Sequence, residues 1–336
     1  MATLSDVAAR AGVSVSAVSR VLSEAPSARV SEATRQRIHE AARELGYRPN
    51  LVARALKSSR TNVVGLIIPE LTSAIFAELM RGAEEEAHRV DYMVLLARAE
   101  GTPVGEAIPR LVGEGRVDGV IVQVGDSMRA EDLAILREGT LPVVFVNSLS
   151  SEGAGSVTLD DALGTRIATQ HLLDLGHRRI ALIGGLPTSY SGQRREEGFR
   201  AAMTDAGLAV PDEHVTRLGY EPRASGVALA ALAALDPRPS ALVVANVNGA
   251  HGALLEARRL GLRVPEDLSI VAIHDAWTAE NTWPPLTTVR MPLYELGRAA
   301  MAAIHEQITT GTVVHEVVRS PEPELIVRES TAAPRA

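Results

Sequence analysis

Residues 3–22, TLSDVAARAGVSVSAVSRVL, constrain the fold most, because they read as two short helices joined by a tight turn. Thr3 can cap the first helix, and Asp6 three residues on completes a capping box. Leu4, Val7, Ala8 and Ala11 recur at the spacing of one buried helical face. Gly12 stops that helix, and Ser14 is placed to cap a second one that carries Val18, Val21 and Leu22 inward. Two helices so closely joined, with Gly at the turn, make a helix-turn-helix unit. Such a hairpin is often only structural, but the outward residues decide against that here. Val15, Ser16, Ser19 and Arg20 form a short, hydrogen-bonding, cationic face at the start of the second helix, suited to base edges and phosphates.

Residues 30–46, VSEATRQRIHEAARELG, predict a third amphipathic helix capped by Ser31 and closed by Gly46. Its expected inner face is Val30, Ala33, Ile38, Ala41, Ala42 and Leu45. Asn50 to Ser58 then combines helix formers with a capping Asn, yet is shorter than the roughly 12–15 residues at which isolated helices hold together in water. It lacks the Gly, Ser and Pro of a plain linker and is expected to fold only on DNA. Charge divides in the same place. Residues 1–60 hold ten basic and five acidic residues, while the remainder is net −12 within an overall −7. A basic head on an acidic body places phosphate attraction at one end.

The body reads as alternating strands and helices. Near-continuous apolar runs at Val63 to Ile68, Tyr92 to Leu96, Gly119 to Val124, Val143 to Val146, Ile180 to Ile183, Ala241 to Ala245 and Ser269 to Ile273 predict strands buried on both faces. Helices are expected at Ile75 to His88, Ala162 to Leu175, Arg194 to Ala206, Ser225 to Leu235 and Ala250 to Leu260. That order argues for parallel sheets covered on both sides, and 336 residues suffice for two such units beside the small head. Aromatics are only 3% of the chain, so Ala, Val and Leu fill the cores. There is no cysteine, which excludes disulfides and thiolate metal sites. The start has an acidic residue at position 6 and no apolar core segment, and no run approaches the roughly 18 apolar residues of a membrane span. The expected location is the cytoplasm, with no membrane partner.

TLSDVAARAGVS, VSRVL, VSEATR, LGYRPN and ARAL, in that order, resemble the headpiece and hinge of the LacI-type (lactose repressor, GalR) family of bacterial transcription regulators. The likeness continues through LPVVFVN, LGHRRIALIGG, LGLRVPEDLSIVAI, PPLTTVRMPLYELG and ELIVREST, and so covers essentially the whole chain. It implies an all-α helix-turn-helix headpiece at 1–48 and a hinge helix and linker at 49–60. An α/β effector and dimerisation domain follows at 61–330, like a periplasmic sugar-binding protein, with a tail at 331–336. Within that domain, two doubly wound parallel-sheet subdomains are expected, about 61–160 with 291–318, and about 161–290 with 319–330. The implied function is that of a repressor: a homodimer on an inverted-repeat operator, governed by a small-molecule effector, a sugar or related metabolite. No leucine heptad tail precedes Ala336. By resemblance Leu4, Ser5, Ser14, Val15, Ser16, Ser19, Arg20 and Tyr47 meet DNA from the head, and Asn50, Ala53 and Leu56 from the hinge, Leu56 as a wedge in the minor groove.

Open α/β sheets bind ligands outside the carboxyl ends of their strands. Ile75 and Phe76 follow the first strand, Asn147 ends VVFVN, Asn246 ends VVAN, and His274 ends VAIH. By resemblance these line the effector cleft together with Ser191, Arg195 and Tyr220. Phe76 and Tyr220 are expected as flat walls, Arg195 as a forked donor to an anionic or carbonyl partner, and the others as polar selectors. Any one of them is also readable as a strand-end residue satisfying local backbone. Two positions depart from the family pattern. Val247 stands where an Asp is common, and His274 replaces the first of two acids. Histidine can donate, and can charge near pH ~6.5, so a carboxylate, phosphate or ring nitrogen becomes a more suitable effector group than in the family at large.

Enzyme readings fail. There is no GxSxG elbow, GxxxxGK[ST] loop or GxGxxG fingerprint, and the Gly184-Gly185 pair reads as a tight turn. His39-Glu40, His305-Glu306 and His315-Glu316 each lack the second His of a zinc helix. No cofactor or metal is expected. A transport solute-binding protein would share the body but not the head, and an architectural DNA protein would not need the cleft.

Overall fold

A computed structural model describes residues 2–22, 30–47, 60–69, 75–98, 115–124, 136, 139–148 and 153–335. The chain divides into two compact units, Met1–Thr61 and Asn62–Ala336.

The first unit is helical. α1 (Leu4–Ala11) starts at Thr3, whose Oγ1 accepts from Asp6 N at 3.3 Å while Thr3 N donates to Asp6 Oδ2 at 2.8 Å. Gly12 ends the helix at φ 66°, a left-handed turn that glycine enters without the steric cost of a Cβ. α2 (Val15–Leu22) follows, with Ser14 Oγ accepting from Ala17 N at 3.2 Å. α3 (Glu32–Glu44) is capped by Ser31 and closes as Tyr47 N donates to Ala42 O and Gly46 N to Arg43 O. Val7, Ala8, Ala11, Val18, Val21, Ile38, Ala41 and Ala42 form the core. Ala33 and Leu45, expected inward, are exposed. Ala33 lies about 140° around the helix from Ile38, and Leu45 is the cap residue beyond the helix end. Asn50, Ala53 and Leu56 lie outside the described residues.

The second unit runs, in chain order, β1 (Val63–Ile68), α4 (Ile75–Arg89), β2 (Met93–Arg98), β3 (Gly119–Gln123), β4 (Val143–Val146), β5 (Gly155–Leu159) and α5 (Asp161–Asp174). It continues with β6 (Ile180–Gly184), α6 (Tyr190–Asp205), β7 (Val215–Arg217), α7 (Pro222–Ala233), β8 (Ala241–Val244), α8 (Val247–Arg259) and β9 (Ser269–Ile273). The last elements are α9 (Trp277–Glu280), β10 (Thr287–Arg290), α10 (Leu293–Thr310), β11 (His315–Val318) and β12 (Glu324–Ile326).

Among the described residues, two sheets form. One has the order β11-β5-β4-β3-β1-β2 with every pair parallel. The other is β12-β10-β9-β8-β6-β7, parallel except for its antiparallel edge strand β12. The chain passes between the sheets after β5, after β10 and after β11. Side chains alternate across each sheet, as a period of two requires. Val64, Leu66 and Ile68 enter one core while Ile67 enters another. In the second sheet Ile180, Leu182, Val243, Val271 and Ile273 face one way, and Ala181, Ile183, Leu242, Val244, Ile270 and Ala272 the other.

Strands β5, β7 and β10 to β12, the short α9 and the 18-residue α10 were not expected from the sequence. GSVTL and TTVR are short and half polar, so periodicity does not mark them, although burial does. β2 begins after Tyr92 and leaves Met93, Leu95 and Leu96 exposed at the sheet edge. Helices approach closely through glycine. A Cβ on Gly82 of α4 would lie 2.0 Å from Tyr294 O, and one on Gly297 of α10 would lie 2.0 Å from Leu79 O. The final segment, set apart as a tail from the sequence, is held. His177 Nε2 bonds Ala332 O at 2.9 Å, and Ala332 N donates to Ser269 Oγ at 3.1 Å.

Candidate functional sites

In the head, α2 starts directly after the turn, so its first residues face outward. Val15 is 43% exposed, Ser5, Ser14, Ser16 and Arg20 are exposed, and Ser19 is half-buried. Ser14 spends its hydroxyl on the cap. Leu4 and Tyr47, expected at DNA, are half-buried against the head's core and reach solvent with only part of their surface. Val15, Ser16 and Arg20 are thus all exposed on α2.

In the second unit a cleft of about 150 Å³ opens beside strand ends from both sheets. All eight residues expected there line it: Ile75, Phe76, Asn147, Ser191, Arg195, Tyr220, Asn246 and His274. Strand-end reasoning missed Gln123, which closes β3, and also Ser189, Glu221, Asn248 and Leu293. Gln123 was reachable by the same rule, whereas Leu293 depends on the unforeseen α10.

Strand-end backbone takes part of the expected polar set. Asn147 Oδ1 accepts from Leu159 N at 2.9 Å, and Asn246 Oδ1 caps α8 by accepting from Gly249 N at 2.6 Å. Val247 is fully buried in the core under α8 and plays no part in the lining. Asp275 turns away, paired with Arg328 at 2.8 Å and Arg290 at 3.1 Å.

Arg195, only 3% exposed, lines the cleft with most of its fork already engaged by the protein. Its Nε and Nη2 both donate to Asp161 Oδ1, at 2.8 and 2.7 Å, Nη1 donates to Ala245 O at 2.6 Å, and Nη2 donates to His274 Nε2 at 2.8 Å. Four of its five N–H groups are thereby committed. Burial disfavours the Arg195 charge, but the Asp161 carboxylate more than offsets this and holds its pKa up. Burial pushes Asp161 up, against the pull of Arg195. Burial and then the Arg195 charge hold His274 well below its ordinary value of 6.5, so the charging expected of it near that pH does not occur.

Tyr220 is more than an apolar wall. Its hydroxyl bonds Ser191 Oγ at 2.9 Å and Ser189 Oγ at 3.2 Å, and the Arg195 guanidinium lies 5.4 Å from its ring centroid. Gly185, read from sequence as a plain turn, makes room for that ring. A Cβ there would stand 2.4 Å from Tyr220 Oη. Gly185→Ala should therefore cost about 1–3 kcal/mol of body stability in urea unfolding, and most of it should return in the double variant with Tyr220→Ala. Strictly additive losses would refute the contact.

No group of three metal-ligating side chains stands together among the described residues, and no helix there is long and apolar enough to cross a membrane.

A head with an exposed reading helix, followed by two parallel-sheet halves around a small cleft, defines a ligand-responsive DNA-binding protein. Residues 3–50 match the family described as bacterial regulatory proteins, lacI family, and residues 169–331 match a periplasmic binding protein-like domain. Catabolite control protein A of Priestia megaterium is 33% identical over 98% of this chain and 99% of its own length. The ribose operon repressor of Escherichia coli K12 is 33% identical over 93% of this chain and 95% of its own. The solved lac repressor dimer bound to operator and the anti-inducer ONPF superposes with a TM-score of 0.80 at 25% identity, covering 99% of each chain. The chain belongs to the lacI family of bacterial regulatory proteins. It is a DNA-binding regulator of transcription and not an enzyme.

Proposed function

We propose that this protein represses transcription in the cytoplasm as a homodimer on an inverted-repeat operator, and that a small polar metabolite, a sugar or close relative, binds the cleft and changes operator affinity. The cleft carries this reading. Apolar Ile75 and Phe76 face convergent polar groups from Asn147, Ser191, Tyr220, Asn246 and His274, the mixture that small-molecule sites use. The named regulation of a ribose operon by one relative, and a small ligand in the lac repressor complex, support an effector of that size. Two heads related by a two-fold axis would read two half-sites, because one reading helix covers only a few base pairs. An effector that binds the cleft with different affinity in the operator-bound and free states would couple the two sites.

Binding-site selection with the full chain tests the operator half, and repeating it with candidate sugars tests the coupling. Val15 suits a thymine methyl, Ser16 either polar edge and Arg20 guanine. Arg20→Ala should cost about 1–3 kcal/mol of operator affinity and relax preference at one position per half-site. Recovery of an unchanged motif from Arg20→Ala would remove Arg20 from the reading face.

A further inference from the structure

We propose that Asp161, Arg195 and His274 form a relay that locks His274 in one neutral tautomer. The cleft then selects an uncharged effector carrying a hydrogen-bond acceptor, such as a carbonyl, ring nitrogen or ring oxygen. This rests on reading the cleft as the effector site. The relay starts from an arginine, which only donates. Since Arg195 Nη2 meets His274 Nε2 at 2.8 Å, that ring nitrogen accepts, and the imidazole proton sits on Nδ1. His274 is 2% exposed and lines the cleft, yet Nδ1 is buried with no hydrogen-bond partner among the described residues. A buried donor left unpaired is costly, and an acceptor atom on a bound effector would relieve that cost. Asp161 sets this up without lining the cleft itself. Fully buried at the start of α5, it receives two bonds from Arg195 on Oδ1 and orients the guanidinium toward His274. Asp161 is thus a positioning residue.

The same relay argues against an anion. Among the described residues, the charged side chains lining the cleft are Arg195 and Glu221, and Asp161 compensates Arg195 from behind at 2.7 Å. A phosphate or carboxylate would find no uncommitted cation and would face Glu221. The groups packed around His274 are Arg195 from α6, Asp161 from α5 behind it, and its chain neighbour Asp275, which Arg328 and Arg290 neutralise. Arg195 opposes an imidazolium, and both carboxylates are already engaged by arginines. On this reading an anionic effector group is disfavoured, while a ring nitrogen fits as an acceptor.

The test uses long-range nitrogen–proton NMR spectra of full-length protein labelled in its histidines, with His274 assigned through His274→Gln. The relay requires the Nδ1–H tautomer, unchanged from pH 8 down to about pH 5, and a spectrum showing Nε2–H or an imidazolium in that range overturns it. In Asp161→Asn the His274 signals should become a tautomer mixture. The signals of His177, buried far along the sequence against Ser240 and Ser269, should stay fixed and so report an intact fold. His274 signals identical to wild type in Asp161→Asn would remove Asp161 from the relay. D-ribose and D-glucose are then titrated beside their phosphates, with hypoxanthine as the ring-nitrogen probe. Preferred binding of either phosphate, with a shift at His274, overturns the charge selection alone. A compound that binds without moving His274 or Tyr220 refutes the cleft reading itself.

Discussion

Arg195→Ala is expected to destabilise the second unit by about 3–5 kcal/mol, seen as a large drop in the urea midpoint, because it strands the Asp161 carboxylate in a site with no solvent access. A single substitution that removes one partner of a buried pair leaves the other uncompensated, and this exceeds the net worth of the pair itself. Replacing both, as Arg195→Met with Asp161→Leu, should recover most of the loss, since apolar residues of similar volume need no compensation. An Arg195→Ala protein as stable as the parent would mean that Asp161 finds another partner or is protonated. The consequence for effector studies is direct. Lost effector response in Arg195→Ala has to be separated from lost folding, so the paired variant is the one to titrate.

Gly297→Ala should cost about 1–3 kcal/mol or somewhat more, because its methyl would sit 2.0 Å from Leu79 O, a backbone atom with no rotamer through which to escape. Gly82→Ala meets Tyr294 O at the same distance from the opposite helix. The two changes act on one contact, so the double variant should fall short of the sum of the singles. α4 presents Ile75 and Phe76 to the cleft at its first turn, and α10 presents Leu293 at its own. Separating these helices should therefore weaken effector binding as well as stability. Chemical denaturation with calorimetry on one preparation reads both, and Gly297→Ala with unchanged unfolding would refute the packing.

The close approach was invisible in the sequence. Glycine at 82 and at 297 reads in isolation as a weak spot in a helix, and only the tertiary structure shows each lying against the backbone of the other helix. The same holds for Gly185 and the Tyr220 ring.

What the chain determined by itself is local. The Thr3–Asp6 box, the Gly12 stop and the Ser31 cap are made by residues three or four apart, whose geometry a helix sets without reference to the rest. Strands β1, β4 and β9 were legible with both ends because burial on both faces leaves an unbroken apolar run between polar turns. The eight cleft positions were legible through strand ends and the family likeness, since topology places strand ends at a crevice. Their chemistry was not. Asp161 is 34 residues from Arg195, and His274 is 79 from it. Only folding brings them within 3 Å and removes water from between them, and that desolvation decides which nitrogen holds a proton and which charge remains for a ligand.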